Sequence, residues 1–108
     1  MKLSIFGSTG FIGENFCNRF PNHLRIERDC IFPDTQDILY FISTAHNHYI
    51  FEDLTLDVKT NLFFLCKVLE NCKNKGLTFN YISTMNVYGF QDKLPIKENS
   101  QCYPEGLY

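Results

Sequence analysis

An α/β fold with a doubly wound parallel sheet is what this sequence predicts, and three observations predict it. A short apolar run, Lys2–Phe6, ends at spaced glycines. A second run, Asp37-Ile38-Leu39-Tyr40-Phe41-Ile42, is continuous and β-rich. Strand-like runs then alternate with helix-like periods, which calls for parallel strands joined by right-handed crossovers.

Each element follows from its residues. Lys2–Phe6 reads as a strand buried on both faces. Beyond the glycines Ile12, Phe16 and Phe20 recur every fourth residue and give a helix an apolar face, which Pro21-Asn22 stops. Leu24–Arg28 alternates apolar and charged residues as a second strand, and 29–36, with Pro33 inside, reads as loop. Asp37–Ile42 is the third strand, and 43–51 is expected to be a loop at its carboxyl end. Val58, Leu62, Leu65, Cys66 and Leu69 share one helical period after Leu54, and Lys73-Asn74-Lys75-Gly76 supplies the cations and glycine that suit a helix end. Leu77–Ser83 is the fourth strand. The stretch 89–107, with Pro95 and Pro104, keeps no period and reads as loop.

Composition narrows the function classes. With 108 residues the chain suffices for one small domain. Its 44% apolar and 20% charged residues suit a globular protein rather than a disordered one. A formal net charge of −2 gives no reason to expect a nucleic-acid partner or an anionic membrane. No apolar run approaches the ~18 residues of a membrane span, and the opening residues lack the features of a signal peptide, so a cytoplasmic location is expected. The cysteines at 17, 30, 66, 72 and 102 are odd in number and form no CxxC pair, which predicts inert thiols rather than disulfides or zinc. His46-Asn47-His48 has no carboxylate or thiol at ligand spacing and reads as solvated loop, and no metal is expected. Asp57, Lys73 and Lys75 read as solvent-facing helix charges.

The run Gly7-Ser8-Thr9-Gly10-Phe11-Ile12-Gly13 carries the chemistry. Placed between strand and helix, its first glycine permits a tight turn. Its second lets backbone approach a pyrophosphate closely, and its third lets helix pack on strand. Free amides at the helix start then face the phosphates. A Rossmann-like dinucleotide site is the expectation, and an NTPase phosphate loop is excluded because no Gly-Lys-Ser/Thr follows. The cofactor is NAD or NADP. An acid at the end of the second strand favours the first and an arginine the second. Glu27-Arg28-Asp29 offers both.

The GxxGxxG spacing resembles that of the extended short-chain dehydrogenase/reductase superfamily, which contains the NAD(P)-dependent nucleotide-sugar epimerases, dehydratases and reductases. Further motifs in the same order resemble it too. Asp37–Ala45 looks like the family strand that ends in small residues beside the cofactor. Asn61-Leu62-Phe63-Phe64-Leu65-Cys66-Lys67-Val68-Leu69-Glu70 is similar to its NVxGTxxLLEA helix, with Phe64-Leu65 in place of Gly-Thr. Ile82-Ser83-Thr84-Met85-Asn86-Val87-Tyr88-Gly89 closely resembles its (S/T)(S/T)xxVYG signature. Pro104-Glu105-Gly106-Leu107-Tyr108 looks like the lead-in to YxxxK.

The resemblance implies hydride transfer at a sugar carbon, with Thr84 bonding the reacting oxygen and Tyr108 as acid/base. It places the cofactor against Gly7, Ser8, Thr9, Gly10, Phe11, Ile12, Gly13, Arg28, Asp29, Ser43, Thr44 and Asn61. Met85-Asn86 stands where dehydratases carry Asp-Glu, which leaves epimerase or reductase chemistry ahead. The partner implied is a nucleotide-sugar. The family homodimer packs on the helix around Asn61 to Cys72, and consecutive Leu62 to Leu65 should leave apolar side chains facing solvent. The YxxxK lysine would fall past Tyr108, so residues 1–108 read as a partial NAD(P)-binding domain, truncated after its N-terminal portion. It would lack the substrate-binding part and be inactive by itself. The stretch before Asp37 is shorter than in the family, which predicts reduced adenine contacts. The alternatives are a non-catalytic dinucleotide-binding pseudoenzyme and a decayed gene product.

Overall fold

The computed structural model describes residues 1–44 and 52–105. Four parallel strands form one sheet in the order β2–β1–β3–β4, with β1 at Leu3–Phe6, β2 at Leu24–Arg25, β3 at Asp37–Tyr40 and β4 at Thr78–Tyr81. β1 lies in register with β3 from Leu3 opposite Asp37 to Phe6 opposite Tyr40, and β3 with β4 from Asp37 opposite Thr78 to Tyr40 opposite Tyr81. The expected parallel α/β architecture is present. Its strands are shorter than the apolar runs, although single amide bonds extend the ladder from Ile26 to Ile5 and from Phe41 to Phe6.

The period-2 alternation of strands sends neighbouring side chains to opposite faces. Leu3, Ile5, Leu39 and Phe41 pack with Cys17 and Phe16 of α1 (Phe11–Arg19) on one face. Phe6, Ile38 and Tyr40 pack with Ile26 and Val68 on the other, joined by Phe64, Leu65, Cys72 and Phe79. A doubly wound sheet results, one helical layer on each side.

Each helix buries only part of the stripe its apolar spacing suggests, Phe16 in the first and Leu65 in the second. In α1 the buried residues are Gly13 and Cys17, whereas Ile12 is 59% and Phe20 46% exposed. The cause is backbone contact at the glycine turn. A Cβ on Gly13 would overlap the Gly7 carbonyl oxygen, so position 13 must face the sheet and position 17 follows one turn later.

The second helix starts as α2 (Leu54–Asp57), widens into a π-helical stretch at Val58–Phe63 and continues as α3 (Phe64–Cys72). Its inner line runs through Asp57, Asn61, Phe64, Leu65, Val68 and Cys72, while Val58, Leu62, Phe63 and Leu69 are exposed. Of the expected period Val58, Leu62, Leu65, Cys66 and Leu69, only Leu65 packs inward, and the other four form the outer face. Asp57, expected in solvent, is 5% exposed, and both its carboxylate oxygens lack a hydrogen-bond partner among the described residues. Helical spacing places it one turn before Asn61, whose side chain is bonded to the loop after β3, so both face the sheet. Lys73 and Lys75 do face solvent, and Lys73 meets Glu70 at 3.5 Å.

The connection from β2 to β3 is held by one hydroxyl. Ser4, fully buried, accepts from the amides of Asp34 and Thr35 at 3.0 Å each, and its Oγ lies 2.9 Å from that of Thr35. After β4, a 3-10 turn at Met85–Tyr88 leads into a stretch without helix or strand up to residue 105. Among the described residues no helix is long and apolar enough to cross a membrane.

Candidate functional site: a groove at the carboxyl ends of the strands

Parallel strands bring their carboxyl ends to one edge. Because β2 and β3 flank β1, the chain leaves the first strand in opposite directions on its two sides, and a crevice opens at that switch point. The crevice is a groove of about 500 Å3. Gly7 to Gly10 form its floor, Ile26 to Asp29 one wall, and Phe41, Ile42, Ser43, Lys59, Thr60 and Phe64 the other.

Its floor is a turn that only glycine can begin. Gly7 has φ +78, and a Cβ there would lie 3.0 Å from the Ile42 amide nitrogen. The Gly10 amide closes the turn onto the Gly7 carbonyl at 3.1 Å, and α1 begins at Phe11 with no side-chain cap. Amides of the first helical turn thus keep donors for an anionic group. Gly10 differs from its neighbours. Its φ is −75, and a Cβ would meet only the Gly7 carbonyl oxygen at 3.4 Å. The fold itself tolerates a side chain at this position. Openness above the turn suits a ligand that comes close to the backbone, so the residues present fit a dinucleotide pyrophosphate.

Each position expected to bind the cofactor lies among the described residues. Gly7, Ser8, Thr9, Gly10, Arg28, Asp29 and Ser43 line the groove. Phe11 and Ile12 are 86% and 59% exposed and stand at the start of α1, outside the groove's lining. Gly13 is buried against Gly7. Thr44 and Asn61 form a paired support beside the groove: the Asn61 Oδ1 accepts from the Thr44 amide at 2.8 Å, and its Nδ2 donates to the Thr44 hydroxyl at 2.9 Å. Asn61 lies in the π-helical stretch. Its role here is to position the chain after β3.

Thr84 stands three residues past β4, at the same edge of the sheet, and its hydroxyl accepts from the Asn86 amide at 3.2 Å as the cap of the 3-10 turn. Tyr108 and His46-Asn47-His48 lie outside the described residues.

Sequence reasoning left several wall residues out of the site. Lys59, Thr60 and Phe64 line the groove, as does Glu27, which the sequence had offered beside Arg28 and Asp29 in the choice of cofactor. Lys59 and Thr60 immediately precede Asn61, and a signal for them existed in that proximity. The helix had to be docked before their direction was defined. The groove's charged side chains are Glu27, Arg28, Asp29 and Lys59. Among the described residues the one salt bridge is Lys73–Glu70, so none of these four is in a salt bridge there. No group of three or more His, Cys, Asp or Glu among the described residues could hold a metal ion.

The fold resembles solved structures. With RMD from Pseudomonas aeruginosa complexed with NADPH the TM-score is 0.81 at 22% identity, over 97% of this chain and 44% of that one. A single-residue variant of UDP-glucuronic acid 4-epimerase from Bacillus cereus, in complex with UDP-4-deoxy-4-fluoro-glucuronic acid and NAD, gives 0.80 at 20% identity, over 96% and 46%. The epimerase from Bacillus cereus with NAD gives 0.72 at 17% identity, over 98% and 47%. The chain therefore spans less than half the length of each. No family model and no curated protein matches the sequence.

Proposed function

We propose that this chain is the cofactor-binding part of an NAD- or NADP-dependent enzyme that acts on a nucleotide-sugar by epimerase or reductase chemistry. The observation that carries the proposal is the uncapped start of α1 over an open Gly10, at the switch point of a parallel sheet. Solved structures of the same fold hold NADPH and NAD, and one of them holds a UDP-sugar as well.

The residues divide the work. Amides from Phe11 onward receive the pyrophosphate, and Gly7 and Gly10 let it approach. Thr44, held by Asn61, fixes the chain that follows β3 beside the groove. A bound nicotinamide supplies the acceptor or donor of hydride. Thr84 accepts the Asn86 amide and keeps its own hydroxyl proton, which it can donate to a substrate oxygen. Tyr108 moves the proton that accompanies the hydride. Its phenol, ordinarily near pKa ~10, needs a neighbouring positive charge to serve as a base at neutral pH. The exposed line Val58–Leu62–Phe63–Leu69 is the face on which a second copy packs.

Titration of the chain with NADH and NADPH, followed by cofactor fluorescence, tests the reading. Saturable binding of at least one is expected, and Gly10→Leu should remove it while the circular dichroism spectrum stays unchanged. Absence of binding to both, or full retention in Gly10→Leu, sinks the reading.

A further inference from the structure

We infer that Lys59 is the cation that offsets the cofactor's diphosphate in this groove, acting from the wall opposite Glu27 to Asp29. The inference rests on the groove being a dinucleotide site and adds a specificity-determining residue to it. Amides at the start of α1 donate hydrogen bonds to a phosphate, but a helix end brings only a partial positive charge. Each phosphate of a bound dinucleotide carries a whole negative one. The remaining compensation has to come from side chains.

Most charged side chains around the floor have the wrong sign or are already flanked. Glu14 stands in the first turn of α1. On one wall Arg28 lies between Glu27 and Asp29 in the chain, so that wall carries net negative charge. The charged side chain of the other wall is Lys59. Among the described residues it forms no salt bridge. Asp53, the cap of α2, is close enough to sense it: the Thr55 hydroxyl and amide hold the Asp53 carboxyl below its usual range, and the Lys59 charge adds to this. That carboxylate is taken up by Thr55. The ammonium is left for an anion in the groove.

The backbone beneath this ammonium is fixed while the head stays in water. Lys59 lies in the π-helical stretch, and its carbonyl accepts from the Phe64 amide. Asn61, two residues on, ties the same stretch to Thr44 through two hydrogen bonds. Lys59 itself is exposed and stands at the groove's rim. A compact point charge on a flexible stem suits a phosphate that settles after it arrives. Lys67, on the same long helix, provides the contrast. Its ammonium stands 4.7 Å from the centre of the Phe63 ring, and it does not line the groove.

NADH binding, followed by cofactor fluorescence and by competition with ADP, tests the inference in folded variants. Lys59→Gln should weaken NADH and ADP by the same factor, about tenfold at low ionic strength, and that loss should shrink as salt is raised. Lys59→Arg should restore most of the binding. Lys67→Gln removes the same charge from the same helix outside the groove and should leave both affinities unchanged. The inference is overturned by unchanged NADH binding in Lys59→Gln, by a loss that salt does not alter, or by an equal loss in Lys67→Gln. In each of those outcomes the unaltered chain still binds NADH and the dinucleotide reading stands. If the unaltered chain binds neither NADH nor ADP, that reading fails and this inference falls with it.

Discussion

Tyr40 shows how a single side chain in this core carries both packing and a pH response. Its ring lies 5.8 Å from Phe6, 5.5 Å from Phe79 and 6.0 Å from Tyr81, centroid to centroid. Its hydroxyl is buried without a hydrogen-bond partner among the described residues. Burial first, and the nearby Tyr81 phenol second, push its pKa up from the ordinary phenol value to about 12. The folded chain then holds that proton more tightly than the unfolded one. The contribution to stability is complete below pH 10 and is lost as pH rises toward about 12. Tyr40→Phe should flatten this alkaline loss in denaturant titrations. It should also be neutral or stabilising near pH 7, by up to about 1 kcal/mol, because it removes an unpaired buried hydroxyl. At the turn, Gly13→Ala forces a Cβ into the Gly7 carbonyl and should cost about 3 kcal/mol in thermal or urea unfolding. Gly10→Leu should leave the melting temperature nearly unchanged. The glycines of one motif thus separate into those the fold needs and one, Gly10, where the fold itself leaves room for a side chain. Their spacing was legible in the sequence, but the division depends on which backbone atoms come close.

Among the elements, the loop between β2 and β3 and the long helix each hang on one polar side chain. Ser4→Ala leaves the amides of Asp34 and Thr35 without their acceptor and should cost about 2–3 kcal/mol, read from urea midpoints. Asn61→Ala removes both bonds to Thr44. It should cost about 1–3 kcal/mol and raise the dissociation constant for NADH, while Asn61→Asp, which keeps the acceptor for the Thr44 amide, should lose less. Equal losses in the two variants would show that the acceptor contributes nothing. Asp53, which caps α2 through the hydroxyl and the amide of Thr55, has its carboxyl held below the usual range, chiefly by the Thr55 hydroxyl bond. Its contribution is present above the unfolded pKa and fades as pH falls. Neither Ser4 nor Asp57 stood out in the sequence. Both are ordinary polar residues whose burial follows from what packs beside them.

For the whole molecule, the balance between covered and open surface sets the behaviour. α1 covers one face of the sheet and α3 the other, yet Leu62 and Phe63 remain 58% and 56% exposed on the outer side of the helix. β4 stands at the edge of the described sheet, and its Tyr81 is 49% exposed. Concentration-dependent self-association is expected in sedimentation experiments. The double substitution Leu62→Glu with Phe63→Glu should suppress it without lowering the unfolding free energy by more than about 0.5 kcal/mol, since both positions already face water. Persistent association in that variant would move the contact elsewhere.

The strand order of types, the glycine turn and the parallel α/β class could all be read from local residue patterns. Strand runs, glycine spacing and helical periods are short-range properties, each contained within a few turns or a few residues of chain. The inward face of either helix could not be read in this way. Apolar residues lie on both sides of the second helix, so hydrophobic period alone has two solutions. The Asn61–Thr44 bonds in one helix and the Gly13–Gly7 contact in the other choose between them. Those contacts depend on backbone atoms brought together by the turn and by docking, and docking also puts Glu27, Lys59 and Thr60 on one groove. Charge and hydropathy along a chain carry no direction in space until the layers dock.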